Sequence, residues 1–130
     1  MHTNAYLAFF NILVAALGLS ASPVSRASED SQWQQLIQAT RGDSVRETLA
    51  LANQHTNRIR HLSDRKTWQL DDYWATPFEL LARGAGDCED LAIAKYYLLR
   101  AHGLQASQLR FMFSRVYNSD NGAIEPHLVL

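Results

Sequence analysis

Thr76-Pro77-Phe78-Glu79 marks a helix start in three independent ways. Threonine is a preferred N-cap, proline at the first helical position gives up an N–H that would have had no partner, and glutamate three residues after the threonine closes a capping box. Gly84 stops this helix. Gly86 leads into a second one that carries Leu91, Ile93, Ala94, Tyr97 and Leu98 as far as His102-Gly103, where glycine suits a left-handed C-terminal residue. Two helices separated by so few residues must meet at a sharp corner, and Cys88 falls in the first turn of the second helix, beside that corner.

The remaining elements are read from periodicity. Ser28 to Thr40 predicts a short helix with acidic residues at its positive end, Trp33, Leu36 and Ile37 facing inward, and Gly42 as its stop. A longer helix is expected from Asp43 or Ser44 to near Ser63, with Val45, Leu49, Ala52, Thr56 and Ile59 on one face. Asp64 to Ala75 is expected to be an irregular, core-covering stretch in which Trp68, Tyr73 and Trp74 pack as a clamp. Past Gln105 the pattern becomes alternating. Leu109 to Tyr117 reads as a strand, Asn118 to Gly122 as a hairpin turn, and Ala123 to Leu130 as a returning strand that bears His127. Asp120 and Asn121 look like fragments of a calcium loop, but the complete loop pattern is absent, which leaves a plain turn. Helices followed by a hairpin predict an α+β domain.

The 130 residues include 12 Lys and Arg against 13 Asp and Glu, for a formal net charge of -1. No basic surplus means no electrostatic footprint for a nucleic-acid partner, and the length excludes a large multidomain enzyme. From Ala5 to Leu19 the chain is apolar except for Asn11, too short to span a bilayer comfortably, and Ser20, Ala21, Ser22 and Pro23 follow. This pattern predicts a secretory signal over Met1–Ala27, cleaved between Ser20 and Ala27, ahead of a domain over Ser28–Leu130. A domain of about 100 residues can bury only a modest core.

Cys88 is the sole cysteine. Neither an internal disulfide nor a thiolate-rich zinc site is open to it, so it is either a small buried hydrophobe or a reactive thiol. Oxidising compartments tend to pair structural thiols, and a leftover thiol there invites a reactive role. A helix N-terminus favours the thiolate, because its unsatisfied N–H groups and macrodipole stabilise negative charge, and the Cys88 N–H is itself available to an oxyanion. His127 lies 39 residues later on a strand, where its imidazole would take the thiol proton and hand it to a leaving amine. Asp87, Glu89 and Asp90 oppose this chemistry, since like charges beside the sulfur disfavour the thiolate. These acids either complement the helix dipole or hold a hard divalent cation; oxygen ligands suit calcium, whose charge would offset theirs. His55 and His61 read as surface or core-edge residues, and His102 as a favourable cation at a helix end.

The run WQLDDYWATPFELLARGAGDCEDLAIAKYYLLR from Trp68 to Arg100, followed by Pro126-His127-Leu-Val-Leu130, resembles the bacterial transglutaminase-like cysteine proteinases, best known for the LapG-type periplasmic adhesin proteases. The resemblance covers most of Asp43 to Leu130. It implies a papain or transglutaminase-like α+β fold with the cysteine helix packed on a small antiparallel sheet. It also implies Cys88 as nucleophile, His127 as general base, Asp87 and Glu89 at calcium-binding positions, and Asp90 as a further ligand. Such enzymes act in the periplasm, cut large surface adhesins near their N-termini, typically at a pair of alanines, and so release cells from biofilms. Some are held inactive by an inner-membrane receptor that responds to cyclic di-GMP. A triad aspartate is expected on a strand after the histidine, whereas Leu130 stands three residues past His127, so no carboxylate of this chain is assigned that role. The rival reading is a truncated, non-catalytic remnant or binding module that keeps part of the protease fold. A transglutaminase or deamidase would use the same nucleophile and base.

Overall fold

The computed structural model describes residues 26–119 and 121–130. In chain order the elements are helices α1 (Arg26–Ala39) and α2 (Val45–Thr56), strand β1 (Arg60–His61), helices α3 (Asp64–Thr67) and α4 (Pro77–Arg83), strand β2 (Ala85–Gly86), helix α5 (Cys88–Ala101), a 3-10 turn (Ala106–Gln108), and strands β3 (Met112–Tyr117) and β4 (Ile124–Val129). The expected export signal lies outside the described residues, apart from Arg26 and Ala27, which open α1; Asp120 lies outside them too. No helix among the described residues is long and apolar enough to cross a membrane.

Local signals set most boundaries. The Ser44 hydroxyl accepts the Glu47 N–H and starts α2. Thr76 and Glu79 form the complete capping box of α4 with Pro77 in its first turn, and Gly84 ends it at φ +64°. Asp87 caps α5 by accepting the Glu89 N–H, while the Asp90 carboxylate accepts the Asp87 N–H. Positive φ at Gly84 and at Gly103 (+91°) is a conformation that a side chain would strain.

Long-range pairing overrides the expected helix 43–63. α2 stops at Thr56 because the next residues are drawn into a parallel bridge, Arg60 opposite Ala85 and His61 opposite Gly86, which the Leu62 N–H extends to the Gly86 carbonyl at 2.9 Å. Its inward face shifts as well. Ala52 and Thr56 are buried as expected, but Val45 and Leu49 are 60% and 42% exposed and Thr48 is buried in their place. The threonines fit because each hydroxyl is satisfied locally: Thr56 donates to the Ala52 carbonyl at 2.8 Å and Thr48 accepts the Gly42 N–H at 3.2 Å. The aromatic clamp has two members rather than three. Trp68 and Tyr73 stack at 4.8 Å with Arg83 over the Trp68 ring, whereas Trp74 is 52% exposed.

The core centres on Ala52, Leu98 and Leu99, with Trp33, Leu36, Ile37, Leu104, Leu109 and Leu130 packed around them. α1 lies on α4, α2 on α5, and α5 on β4. Thr40, fully buried after α1, gives its proton to the Leu36 carbonyl at 2.8 Å, so its 2.9 Å contact with His102 Nε2 is a hydrogen bond donated by the ring. β3 and β4 pair antiparallel with Ser114 opposite His127. The strand begins at Met112 rather than Leu109; residues 109–111 follow the 3-10 turn without regular pairing, with Leu109 packed against the core and Phe111 against Tyr96. The result is the α+β arrangement expected, with the cysteine helix packed on a small antiparallel sheet.

Candidate active site

Gly86 makes the corner between α4 and α5 possible. A Cβ there would stand 2.6 Å from Leu80 Cδ1 and 2.6 Å from an Asp90 carboxylate oxygen, so only glycine lets Asp90 tuck beneath β2. Asp90 is fully buried; one oxygen accepts the Ala75 N–H at 2.7 Å and the other the Asp87 N–H at 3.3 Å. Asp64, also buried, accepts the Tyr73 N–H through Oδ2 at 2.7 Å, while its Oδ1 has no hydrogen-bond partner.

One oxygen each from Asp64, Asp87 and Asp90 lies within 4.8 Å of the others. Burial and neighbouring acids disfavour charge in this group. Asp87 is pushed up to about 7, by burial first and then by Glu89 and the two flanking aspartates. Burial likewise raises Asp90, although hydrogen bonds from the Ala75 and Asp87 amides oppose it. Clustered hard oxygen donors, one of them buried without a partner, fit a divalent cation, whose charge would relieve both the repulsion and the unsatisfied oxygen. Asp64 was not among the acids singled out from sequence. It opens a short helix in what reads as a loop, and no local signal marks it.

Glu89 faces a different neighbour. The half-buried Cys88 thiol donates to Glu89 Oε2 at 2.9 Å. Burial and this bond push the thiol up to about 11, while the Leu128 backbone N–H, directed at the sulfur, pulls the other way. Burial alone would raise Glu89, but hydrogen bonds from Cys88 and Asp87 and the nearby His127 hold it below the usual carboxylate range. Cys88 and His127 line a single cleft of about 540 Å³, together with His61, Lys95 and the end of β4. Lys95, which sequence reasoning did not single out, follows Cys88 by seven residues and so shares its helix face; that spacing is the signal that could have found it. A separate, more apolar hollow of about 390 Å³ is walled by Trp33, Trp74, Phe78 and Tyr97.

The structure thus brings the cysteine of a helix start and the histidine of a strand to one cleft, and sets three aspartates behind the cysteine's turn. As it stands the sulfur is a neutral thiol at neutral pH, held by Glu89.

A comparison with the curated proteins finds no match. Among solved structures, Legionella pneumophila LapG in its calcium-bound form is similar at 30% sequence identity and a TM-score of 0.57, over 77% of this chain and 53% of that one. The EGTA-treated LapG structure gives the same identity and TM-score, over 77% of this chain and 52% of that one. The chain therefore spans about half the length of these relatives. Residues 24–130 match the family model described as bacterial transglutaminase-like cysteine proteinase. With all its described residues inside that match and its cysteine helix packed on a sheet that carries the histidine, the chain belongs to the bacterial transglutaminase-like cysteine proteinases.

Proposed function

We propose that this chain acts as a calcium-dependent cysteine endopeptidase of the periplasm, exported by Met1–Ala27, that cleaves a large surface adhesin and is restrained by an inner-membrane cyclic di-GMP receptor. The observation that carries the peptidase reading is the shared cleft: Cys88 opens α5, His127 lines the same space, and the Leu128 N–H points at the sulfur. Family membership supports the reading, and the calcium-bound and EGTA-treated LapG structures support calcium as the cation.

In this reading His127 takes the proton from Cys88 Sγ as the sulfur attacks the scissile carbonyl carbon. The Cys88 N–H, unpaired within the first turn of α5, faces the developing oxyanion. The imidazolium then protonates the leaving amine, the C–N bond breaks, and an acyl thioester remains on the sulfur. His127 next deprotonates a water that attacks the thioester, and the expelled thiolate recovers the proton. Asp64, Asp87 and Asp90 would hold the cation, which when bound supplies positive charge that offsets the carboxylates beside the nucleophile. Glu89, accepting from the thiol, keeps the sulfur protonated until the imidazole competes for the proton.

An adhesin fragment with a dialanine site, incubated with the native chain and calcium, should be cut, and Cys88→Ser should abolish cutting; undiminished cleavage by that variant removes Cys88 from the mechanism. No cleavage by the native chain at saturating calcium favours the binding-module reading. Calorimetric calcium titration should show Asp64→Asn weakened by at least about tenfold. Equal affinity in both proteins overturns the ligand assignment.

A further inference from the structure

The cleft beside Cys88 has an imbalance of charge that the peptidase reading leaves unused. Its ionisable side chains are Cys88, His61, Lys95 and His127, and no side-chain carboxylate lines it among the described residues. The acids near the nucleophile are committed elsewhere, Asp64, Asp87 and Asp90 to one another and Glu89 to the thiol. Lys95 is half-buried, has no ion-pair partner among the described residues, and stands between this cleft and an adjoining hollow near Leu99 and Leu130. Burial holds its ammonium below the usual lysine range, as befits a cation short of a counter-ion. Such a group gains most from an anion that arrives with a ligand and is desolvated beside it.

Position decides where that anion sits. Lys95 follows Cys88 by seven residues on α5, two helical turns on the same face, which is about 10 Å along the axis. An extended peptide advances about 3.3 Å per residue, so the same span covers about three residues of substrate. We propose that Lys95 is a specificity-determining residue that binds the carboxylate of an aspartate or glutamate about three residues from the scissile bond, so that the enzyme selects acidic peptide segments. This inference rests on the peptidase reading of the cleft. It adds to that reading a substrate class and a residue that touches substrate without taking part in bond making.

The test is a positional scan on the full chain with calcium. Fluorogenic decapeptides around a dialanine carry Asp or Glu, or the matching Asn or Gln, at each of the four positions on either side of the scissile bond, and kcat/KM is measured for each. At one position about three residues from the bond, the acid should beat its amide by at least about tenfold. Lys95→Arg should keep that ratio, Lys95→Met should bring it to about one, and Lys95→Glu should invert it in favour of the amide. A flat native profile, or a ratio unchanged in Lys95→Met, overturns the proposal. A second arm measures calorimetric binding of the same peptides to Cys88→Ala. If no peptide is cut, the peptidase reading fails. Lys95 recognition then stands only if acidic peptides still bind the Cys88→Ala protein more tightly than their amides and the Cys88→Ala, Lys95→Met double variant loses the difference. Equal binding overturns it.

Discussion

Asp87 and Glu89 stand on either side of Cys88 and share a hydrogen bond, yet their other partners differ. Asp87 turns to Asp64 and Asp90, and Glu89 accepts the hydrogen bond of the thiol. Glu89→Gln removes a charge and a strong acceptor from the sulfur, so the thiol pKa falls and alkylation of Cys88 by iodoacetamide at pH 8 should accelerate roughly three- to tenfold, with calcium affinity unchanged. Unaltered alkylation would show that burial alone sets the thiol, and a collapse in calcium affinity would return Glu89 to the ligand set. The contrast also marks what could be read in advance. Cys88 at a helix start and His127 on a hairpin strand follow from caps, glycines and alternation, all local signals. Asp64 was not legible, because its role exists only once β1 and β2 pair and fold its loop back onto α5.

Among the elements, the same distinction holds. α4 and α5 keep their expected starts because Thr76, Pro77, Glu79 and Asp87 satisfy first-turn amides without help from elsewhere. The expected extension of α2 to Ser63 fails because two residues of parallel pairing outweigh helix propensity there. A tie between the C-terminal ends of α1 and α5 gives a prediction at this scale. His102, donating to buried Thr40, is held below the usual histidine range by burial and then by Arg41. A histidine with a depressed folded pKa contributes stability that is fully present above its ordinary value of about 6.5 and is lost as pH falls through the lower folded value. Melting temperatures taken by circular dichroism at pH 7.5 and pH 5 should therefore differ less for His102→Asn than for the native chain. The raised acids Asp87 and Asp90 act in the opposite sense in both proteins and cancel from the comparison. Identical pH slopes in the two proteins would remove His102 from the account.

At the scale of the whole molecule, the helical part is closed and the hairpin is open. Phe113 and Tyr117, on one face of β3, are 69% and 71% exposed, and Ile124 is exposed opposite Tyr117. Met112 is exposed on the other face, and among the described residues β3 pairs only with β4. A contiguous apolar surface with an unpaired strand edge promotes association. Replacing Phe113 and Tyr117 together with serine should change unfolding free energy by less than about 1 kcal/mol and lower concentration-dependent association in sedimentation velocity. A large loss of stability would show that these rings are packed in solution. On the opposite side of the ledger of exposure, the stretch from Gln69 to Ala75 is joined to the acidic cluster through the amides of Tyr73 and Ala75, not through their side chains. Main-chain donors are common to every amino acid except proline. Substitution at the exposed positions 70–72 and 74 can therefore reshape this segment's chemistry while the acids stay in place, whereas buried Ala75 and Tyr73, stacked on Trp68 and bonded to Glu79, are held. The exposed positions are where related chains can diversify at least risk to the centre the segment encloses.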